Sequence, residues 1–233
     1  QVGGVGVWAN GTLLTETGQN SLFEVPGFET DSTLVGSFLA PSRPWWVFPE
    51  TLTNYYHASA GDLIWNDSLG GLGTNVFMPA AGTRALKMYG QFIPEENYTT
   101  IYQEYAAPEA GTEVHVGAWA MHAEDNKLTG GNGFFVSIIW LTPTHGWIYQ
   151  TQSDWITADD ETDEWHYVDA HSVAPEGAGV MQVTVSYYQD AVYSSGSIYI
   201  DETRSSLNPG HYAYYGAPEG NYSVEFAKEG FNS

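Results

Sequence analysis

The chain of 233 residues contains no cysteine. Disulfides, thiolate metal sites and cysteine nucleophiles are therefore excluded. An extracellular protein without disulfides needs another means of stabilising its fold, and bound calcium is a common one. The chain begins at Gln1, without a basic and apolar leader, which fits a mature secreted protein and equally a trimmed chain. We therefore expect an extracellular or cell-surface location.

Basic residues are also scarce, with 6 Lys+Arg against 28 Asp+Glu and a formal net charge of −22. Such a surface repels phosphate backbones and anionic lipids, so we expect no nucleic-acid partner. No run of about 18 apolar residues is present, so no insertion into a membrane is expected either. Solubility in salty surroundings, binding of divalent cations, or both would explain the acidity.

Helical periodicity and catalytic motifs are missing as well. No segment sustains an apolar stripe at i, i+3, i+4 and i+7, so little helix is expected. The sequence has no Gly-x-Ser-x-Gly elbow, no His-Glu-x-x-His pair and no phosphate-binding glycine loop. We interpret the seven histidines as packing or hydrogen-bonding residues rather than as metal ligands. The sequence thus predicts no catalytic residue and a protein that is not an enzyme.

Short aromatic and β-branched segments separated by Gly, Pro and Asp are what the chain does contain. The clearest is 181–188, in which apolar and polar residues alternate with a period of two. Similar segments cover 113–121, 134–141, 165–173 and 196–202. Strands of this length with turn signals between them predict an all-β protein, an antiparallel β-sandwich of the jelly-roll type with extended terminal arms.

Composition divides the chain into three parts. Residues 1–20 form a Gly-rich N-terminal arm with one strand-like run, a candidate for exchange between subunits. Residues 21–207 form the predicted sandwich, and Asn208-Pro209-Gly210 is a turn signal at its end. Residues 208–233 form a Tyr/Gly-rich C-terminal extension with a second possible strand at 222–227.

Several segments of the predicted sandwich, in order, resemble bacterial carbohydrate-binding modules of the galactose-binding-like jelly-roll type. The motifs are Pro26-Gly27-Phe28-Glu29-Thr30, Ala85-Leu86-Lys87-Met88-Tyr89-Gly90, Ile101-Tyr102-Gln103-Glu104-Tyr105 and Gly196-Ser197-Ile198-Tyr199-Ile200-Asp201-Glu202. In that family the first and last of these motifs commonly flank a structural calcium ion. The resemblance implies Glu29 and Asp201 as calcium ligands here, with Asp31 as a neighbour.

Clustered aromatic residues give the main indication of function in the sequence. Exposed Trp and Tyr rings stack against the C–H faces of sugars, and nearby polar groups bond the hydroxyls. Five aromatic residues in a loop-rich region are the candidates for carbohydrate binding: Trp45, Trp46, Tyr55, Tyr56 and Trp65. Clustered rings of this kind could equally close one end of the sandwich or contact a neighbouring subunit.

Two functions fit these features. The first is a non-catalytic extracellular structural subunit, stabilised by calcium, that self-assembles into a filament, tube or surface layer when an arm adds a strand to the next copy. Its partners would be copies of itself, a homopolymer. The alternative is a carbohydrate-binding module that recognises a polysaccharide through the exposed aromatic residues. The arms favour the first, and the motifs favour the second.

Overall fold

The structure is a computed structural model, and it describes residues 6–9, 12–16, 27–29, 45–49, 54–190, 194–207 and 224–227. Strands dominate these residues, with one 3₁₀ turn at Glu124–Asn126. The strands are β1 (Gly6–Ala9), β2 (Thr12–Glu16), β3 (Trp46–Phe48), β4 (Tyr55–Ser59), β5 (Leu63–Asn66), β6 (Gly71–Val76), β7 (Arg84–Tyr89), β8 (Asn97–Ala106), β9 (Glu113–Met121), β10 (Gly133–Leu141), β11 (Trp147–Gln152), β12 (Ile156–Thr157), β13 (His166–Val173), β14 (Val180–Gln189), β15 (Ser197–Leu207) and β16 (Val224–Ala227).

Two antiparallel sheets form the body of the protein. Sheet I has the order β11-β10-β14-β8-β3, with β12 also paired to β10. Sheet II has the order β13-β9-β15-β7-β4. Apart from the consecutive pair β10 and β11, the paired strands along each of these two orders are not consecutive in the chain. This is the connectivity of a sandwich rather than of a simple meander. The predicted all-β antiparallel sandwich is therefore confirmed.

The core lies between the two sheets because successive side chains of a strand point to opposite faces. Strand β14 shows this alternation most clearly. Its inner side chains are Met181, Val183, Val185 and Tyr187, each at most 1% exposed, and the residues between them are Gln182, Thr184 and Ser186. Burial of each large apolar side chain contributes about 1.5–3 kcal/mol to folding. The alternation in 181–188 thus identified the core face and the outer face correctly.

A β-hairpin made of β5 and β6 covers part of the outer face of sheet II. Its apolar residues meet the sheet in a second, smaller cluster, in which the ring of Phe77 stacks on that of Tyr199 with centroids 4.4 Å apart. Ile64 of the hairpin is also buried there. Sheet II is therefore covered on both faces at this end, whereas the outer face of sheet I has no such cover from the described residues.

The terminal strands form a separate three-stranded sheet. Strand β1 pairs with β2 on one side and with β16 on the other, both antiparallel. The arm strands that the assembly hypothesis would add to a neighbouring subunit are thus paired within one chain, and self-assembly stays a prediction. Among the residues that the structure describes, no helix is long and apolar enough to cross a membrane.

Candidate functional site

An open groove of about 530 Å³ runs over the outer face of sheet I. Its floor follows the antiparallel register, so that side chains from three strands stand side by side in rows. Thr100, Ser186 and Phe135 form one row. Tyr102, Thr184 and Ser137 form the next. The outward residues of the five strands, far apart in sequence, become neighbours in this way.

Hydroxyl and amide groups make up the floor of the groove. Thr100 Oγ1 and Ser186 Oγ are 2.9 Å apart, and Ser137 Oγ and Thr184 Oγ1 are 2.6 Å apart. Gln150 Nε2 donates to Ser137 Oγ at 2.8 Å. These bonds fix the orientations of the side chains. Ser137, Thr184 and Ser186 are buried, so Thr100 offers the most accessible hydroxyl of this set, with further capacity to accept a hydrogen bond from a ligand.

Four aromatic rings close one end of the groove. Phe135 and Trp155 are stacked, with centroids 4.7 Å apart and an interplanar angle of 17°. Tyr188 contacts both Trp155 and Tyr98, at centroid distances of 5.4 and 5.1 Å. We call these four residues, Tyr98, Phe135, Trp155 and Tyr188, the aromatic cluster. Phe48 adds a ring on the β3 side and is 57% exposed. The groove thus offers apolar platforms beside polar groups.

The lining of the groove is uncharged. It comprises Phe48, Tyr98, Thr100, Tyr102, Phe135, Ile139, Gln150, Gln152, Gln182, Thr184 and Ser186, with no Asp, Glu, Lys, Arg or His among them. The nearest acid in the register is Glu104, which accepts a bond from Gln182 Nε2 at 3.0 Å and lies 3.4 Å from His145 Nε2. In a chain with 28 acidic residues, an uncharged surface of this extent suits an uncharged ligand.

Of the five predicted carbohydrate-binding residues, one lies beside this groove. Trp46 of β3 pairs with Tyr102, on the same face of sheet I. Trp45 is 0% exposed and packs against Phe28, so its ring cannot stack on a ligand, and its predicted exposure is wrong. Tyr55 is partly buried and packs against the core. Both point inward because the parity of β3 and β4 directs them there, which the irregular pattern of this region did not reveal.

Tyr56 and Trp65 lie in a second pocket, of about 300 Å³, on the outer face of sheet II. Lys87 enters this pocket and is 2% exposed, with Nζ 5.5 Å from the ring centroid of Tyr56 and 5.2 Å from that of Tyr199. The amide of Asn126, oriented to satisfy its bonds, accepts from Lys87 Nζ at 3.3 Å. Burial lowers the pKa of Lys87 to about 8, although Asp67 opposes the shift. Side chains of the protein, those of Tyr56, Tyr199 and Asn126, therefore surround the ammonium group of Lys87.

The acids predicted to bind calcium gather around Gly27. A Cβ at Gly27 would lie 3.3 Å from Glu202 Oε1, 3.8 Å from Glu29 Cγ and 3.9 Å from Asp201 Oδ1. Asp201 is 0% exposed and lies at a register shift in β15, where the ladder to β9 is interrupted. Asp31 lies outside the described residues. Glu202 belongs to this group but was not predicted.

Hydrogen bonds hold two of these carboxylates in place. Asp201 Oδ2 accepts from Ala81 N at 2.9 Å, and its Oδ1 accepts from Glu202 N at 2.8 Å. Burial raises the pKa of Asp201 to about 6, and the charges of Glu202 and Glu29 act in the same direction. Although burial opposes it, bonds from Thr83 lower the pKa of Glu29. Asp201 and Glu202 direct carboxylate oxygens towards Gly27, whereas the carboxylate of Glu29 accepts bonds from Thr83. A cation near these acids would reduce the repulsion among them.

The sequence did not predict the groove residues, because they lie on regular strands and not in the loop-rich aromatic region. A signal was nevertheless present in the sequence. The outward positions of β14 include the polar residues Gln182, Thr184 and Ser186, and none of its outward positions is charged, although the chain is very acidic. A solvated strand face in such a chain would be expected to carry some of the 28 acids. The uncharged outward positions of β14 were therefore the signal in the sequence that indicated the groove.

Comparison with known proteins finds solved structures that are similar to this chain in fold. No family model and no curated protein matches the chain. Similar solved structures include a family 61 carbohydrate-binding module in complex with β-1,4-galactotriose, at 19% identity and TM-score 0.44 over 80% of this chain and 97% of that one. The C-terminal family 22 carbohydrate-binding module of Clostridium thermocellum Xyn10B has 13% identity and TM-score 0.45 over 80% and 98%.

A Stig cyclase, Fisc from Fischerella sp. TAU, has 11% identity and TM-score 0.52 over 82% of this chain and 98% of that one. At this identity the likeness to the cyclase concerns the fold alone. The chain is an antiparallel β-sandwich, as its alternating segments predicted.

Proposed function

We propose that this protein binds an uncharged polysaccharide in the groove on sheet I. The observation that carries the proposal is the lining, which combines rings, amides and hydroxyls with no charged side chain in a protein of net charge −22. Sugars present C–H faces that stack on aromatic rings and hydroxyls that exchange bonds with amides. Anionic polysaccharides would be repelled by the surrounding acids.

The shape of the groove favours a chain over a single sugar. From the row of Tyr98 and Tyr188 to the row of Glu104 and Gln182 the strands advance by six residues, which corresponds to about 20 Å at the usual rise of a strand. The aromatic cluster closes one end, and the groove remains open above its floor. Several consecutive sugars can therefore contact the protein at once.

Affinity electrophoresis in gels that contain soluble galactan, xylan or β-glucan tests this proposal, with alginate as the anionic comparison. Retarded migration is expected in at least one neutral gel and not in alginate. Tyr102→Ala and Gln182→Ala should each weaken binding about tenfold, because a lost ring or amide contact is worth about 1.4 kcal/mol.

Trp65→Ala is the matched control, since Trp65 is a half-exposed ring in the pocket on the other sheet. It should leave retardation unchanged. Migration that no neutral polysaccharide slows would overturn the proposal. If the Trp65 and Tyr102 variants lost retardation equally, polysaccharide binding could not be assigned to the groove.

We also propose that calcium binds beside Gly27, with Asp201, Glu202 and Glu29 as the acidic ligands. Calcium takes six to eight hard oxygens, a preference that three carboxylates begin to satisfy. The ion would join the start of the sandwich at 27–29 to strand β15. It would also offset the repulsion among the three acids. A role in stability is supported by this position, at the opposite sheet from the groove.

A further inference from the structure

Two histidines face each other across neighbouring strands on the outer face of sheet II. His115 of β9 lies directly opposite His171 of β13 in the antiparallel register. Their ring centroids are 3.8 Å apart, and His171 Nδ1 lies 3.2 Å from His115 Nε2. Asp169, two residues before His171 on the same face, contacts the other ring nitrogen, His171 Nε2. These three side chains form one cluster at the surface.

The contact with Asp169 decides which nitrogen of His171 carries the proton. A carboxylate accepts hydrogen bonds, so His171 Nε2 carries the hydrogen and donates it to Asp169. In the neutral ring, Nδ1 then has a lone pair that does not contact Asp169, and His115 Nε2 lies 3.2 Å from this nitrogen. Two arrangements remain: His115 Nε2 donates a hydrogen to this lone pair, or both nitrogens point their lone pairs at one cation.

The spacing of the two nitrogens matches a metal site. Zn²⁺ binds imidazole nitrogens at about 2.0–2.1 Å with tetrahedral angles, which places two such nitrogens about 3.3 Å apart; here they are 3.2 Å apart. The ligand atoms that His115, His171 and Asp169 can offer all lie within 4.8 Å of one another. A carboxylate that holds the far nitrogen of a ligating histidine is a recurring second shell of zinc sites.

The surroundings leave room and favourable charge for the ion. Both histidines line an open cavity of about 570 Å³, and so does Glu113, which precedes His115 by two residues on the same face. Cavity space beside the two nitrogens can hold the water ligands that complete a four-coordinate site. The carboxylates of Glu113 and Asp169 and the net charge of −22 both attract a cation.

We propose that His115 and His171 bind a divalent transition-metal ion, with zinc as the best-fitting example, and that Asp169 is a positioning residue that fixes the ring of His171. This site is separate from the acids beside Gly27. Calcium prefers oxygen ligands, whereas imidazole suits zinc, copper and nickel. The two sites therefore differ in the ion that each would select.

Isothermal titration of the full chain, free of any histidine tag, with zinc chloride in excess calcium tests the proposal. Calcium occupies the scattered acids, so that the histidine site is measured alone. We expect the wild type to bind one zinc ion per chain. The double variant His115→Gln, His171→Gln should bind zinc at least about 100-fold more weakly. Cobalt should give the visible absorption of a tetrahedral complex in the wild type and not in that variant.

His166→Gln is the control, because His166 also lies in β13 but its Nε2 is 3.0 Å from Glu161 O, away from the cluster. It should bind zinc as the wild type does. Asp169→Asn should bind zinc about 10–100-fold more weakly, with an unchanged melting temperature in chelator. Equal zinc binding by the wild type and the double variant would overturn the site. If Asp169→Asn bound zinc with unchanged affinity, Asp169 would not be a positioning residue for His171.

Discussion

Gly133 lies directly against the indole of Trp155, since a Cβ at Gly133 would be 2.6 Å from Trp155 Cε3. No side chain fits between the start of β10 and this ring. We expect Gly133→Ala to displace Trp155 from Phe135 and so to disrupt the aromatic cluster. Binding of the neutral polysaccharide should weaken several-fold, as measured by affinity electrophoresis.

Gly71→Ala provides the comparison for that substitution. Gly71 is also in a strand, but a Cβ there would meet nothing within 4 Å. Its polysaccharide affinity should equal that of the wild type. If Gly133→Ala bound as well as Gly71→Ala, the aromatic cluster would not take part in recognition.

The neighbours Trp45 and Trp46 should respond in opposite ways to replacement by alanine. Trp45 is fully buried in the core, so its loss should lower the free energy of unfolding by about 3–5 kcal/mol. Trp46 lies beside the groove, opposite Tyr102, and its loss should weaken polysaccharide binding at a much smaller cost in stability. Urea unfolding and affinity electrophoresis measure the two effects. The same loss of stability in both variants would contradict the assigned faces of β3.

Lys87 should make stability depend on pH in the alkaline range. Its pKa is about 8 in the folded protein against a usual 10.5. Between pH 8 and 10 the unfolded chain therefore holds more protons than the folded one, and stability rises with pH. The expected gain is about 2 kcal/mol over that interval. Below pH 8 both states are protonated, and this contribution is constant.

Lys87→Met isolates the effect, because it keeps the length of the side chain without the charge. The difference in unfolding free energy between wild type and variant, measured in urea from pH 7 to pH 10, should shift by that amount in favour of the wild type. Burial raises the pKa values of Tyr56 and Tyr199, so these neighbours stay protonated in the interval. A difference independent of pH would show that Lys87 is protonated throughout.

Calcium should raise the melting temperature through Asp201. An ion at 100 times its dissociation constant stabilises the folded state by about 2.7 kcal/mol. Scanning calorimetry with calcium and with chelator should therefore differ for the wild type and agree for Asp201→Asn. Asp159→Asn, which changes an exposed acid, should respond as the wild type does. An equal response in both variants would place the stabilising ion elsewhere.

Removal of residues 1–20 tests the predicted assembly through the arms. If copies exchange strands, the full chain should form large species in calcium or high salt, because these conditions screen the acidic surfaces. The shortened chain should stay monomeric and folded in the same buffer. Light scattering measures both. A full chain that remains monomeric would instead agree with the pairing of β1 and β16 within one copy.

The sandwich could be predicted because its determinants are local. Alternation in 181–188 and in four other segments predicted strands that are present as β14, β9, β10, β13 and β15. Period-two patterning follows from the geometry of an extended chain, so it can be read within a few residues. The sequence of region 45–65 has no regular period. It therefore could not predict whether Trp45 and Tyr55 face the core or the solvent.

The functional surfaces depended on contacts between distant residues. His115 and His171 are 56 residues apart, and only the register of β9 and β13 brings their rings together. Thr100 and Ser186 meet over 86 residues. Such neighbours follow from strand order and register, which local periodicity does not contain.

The sequence by itself determined the composition of each strand face, the lack of covalent cross-links and the acidity. Only the tertiary structure decided which outward residues share a row, and hence where an uncharged groove and a pair of opposed imidazoles arise. The reason is physical: hydrophobic burial selects which face of a strand turns inward, whereas the pairing of strands selects which outward side chains become neighbours.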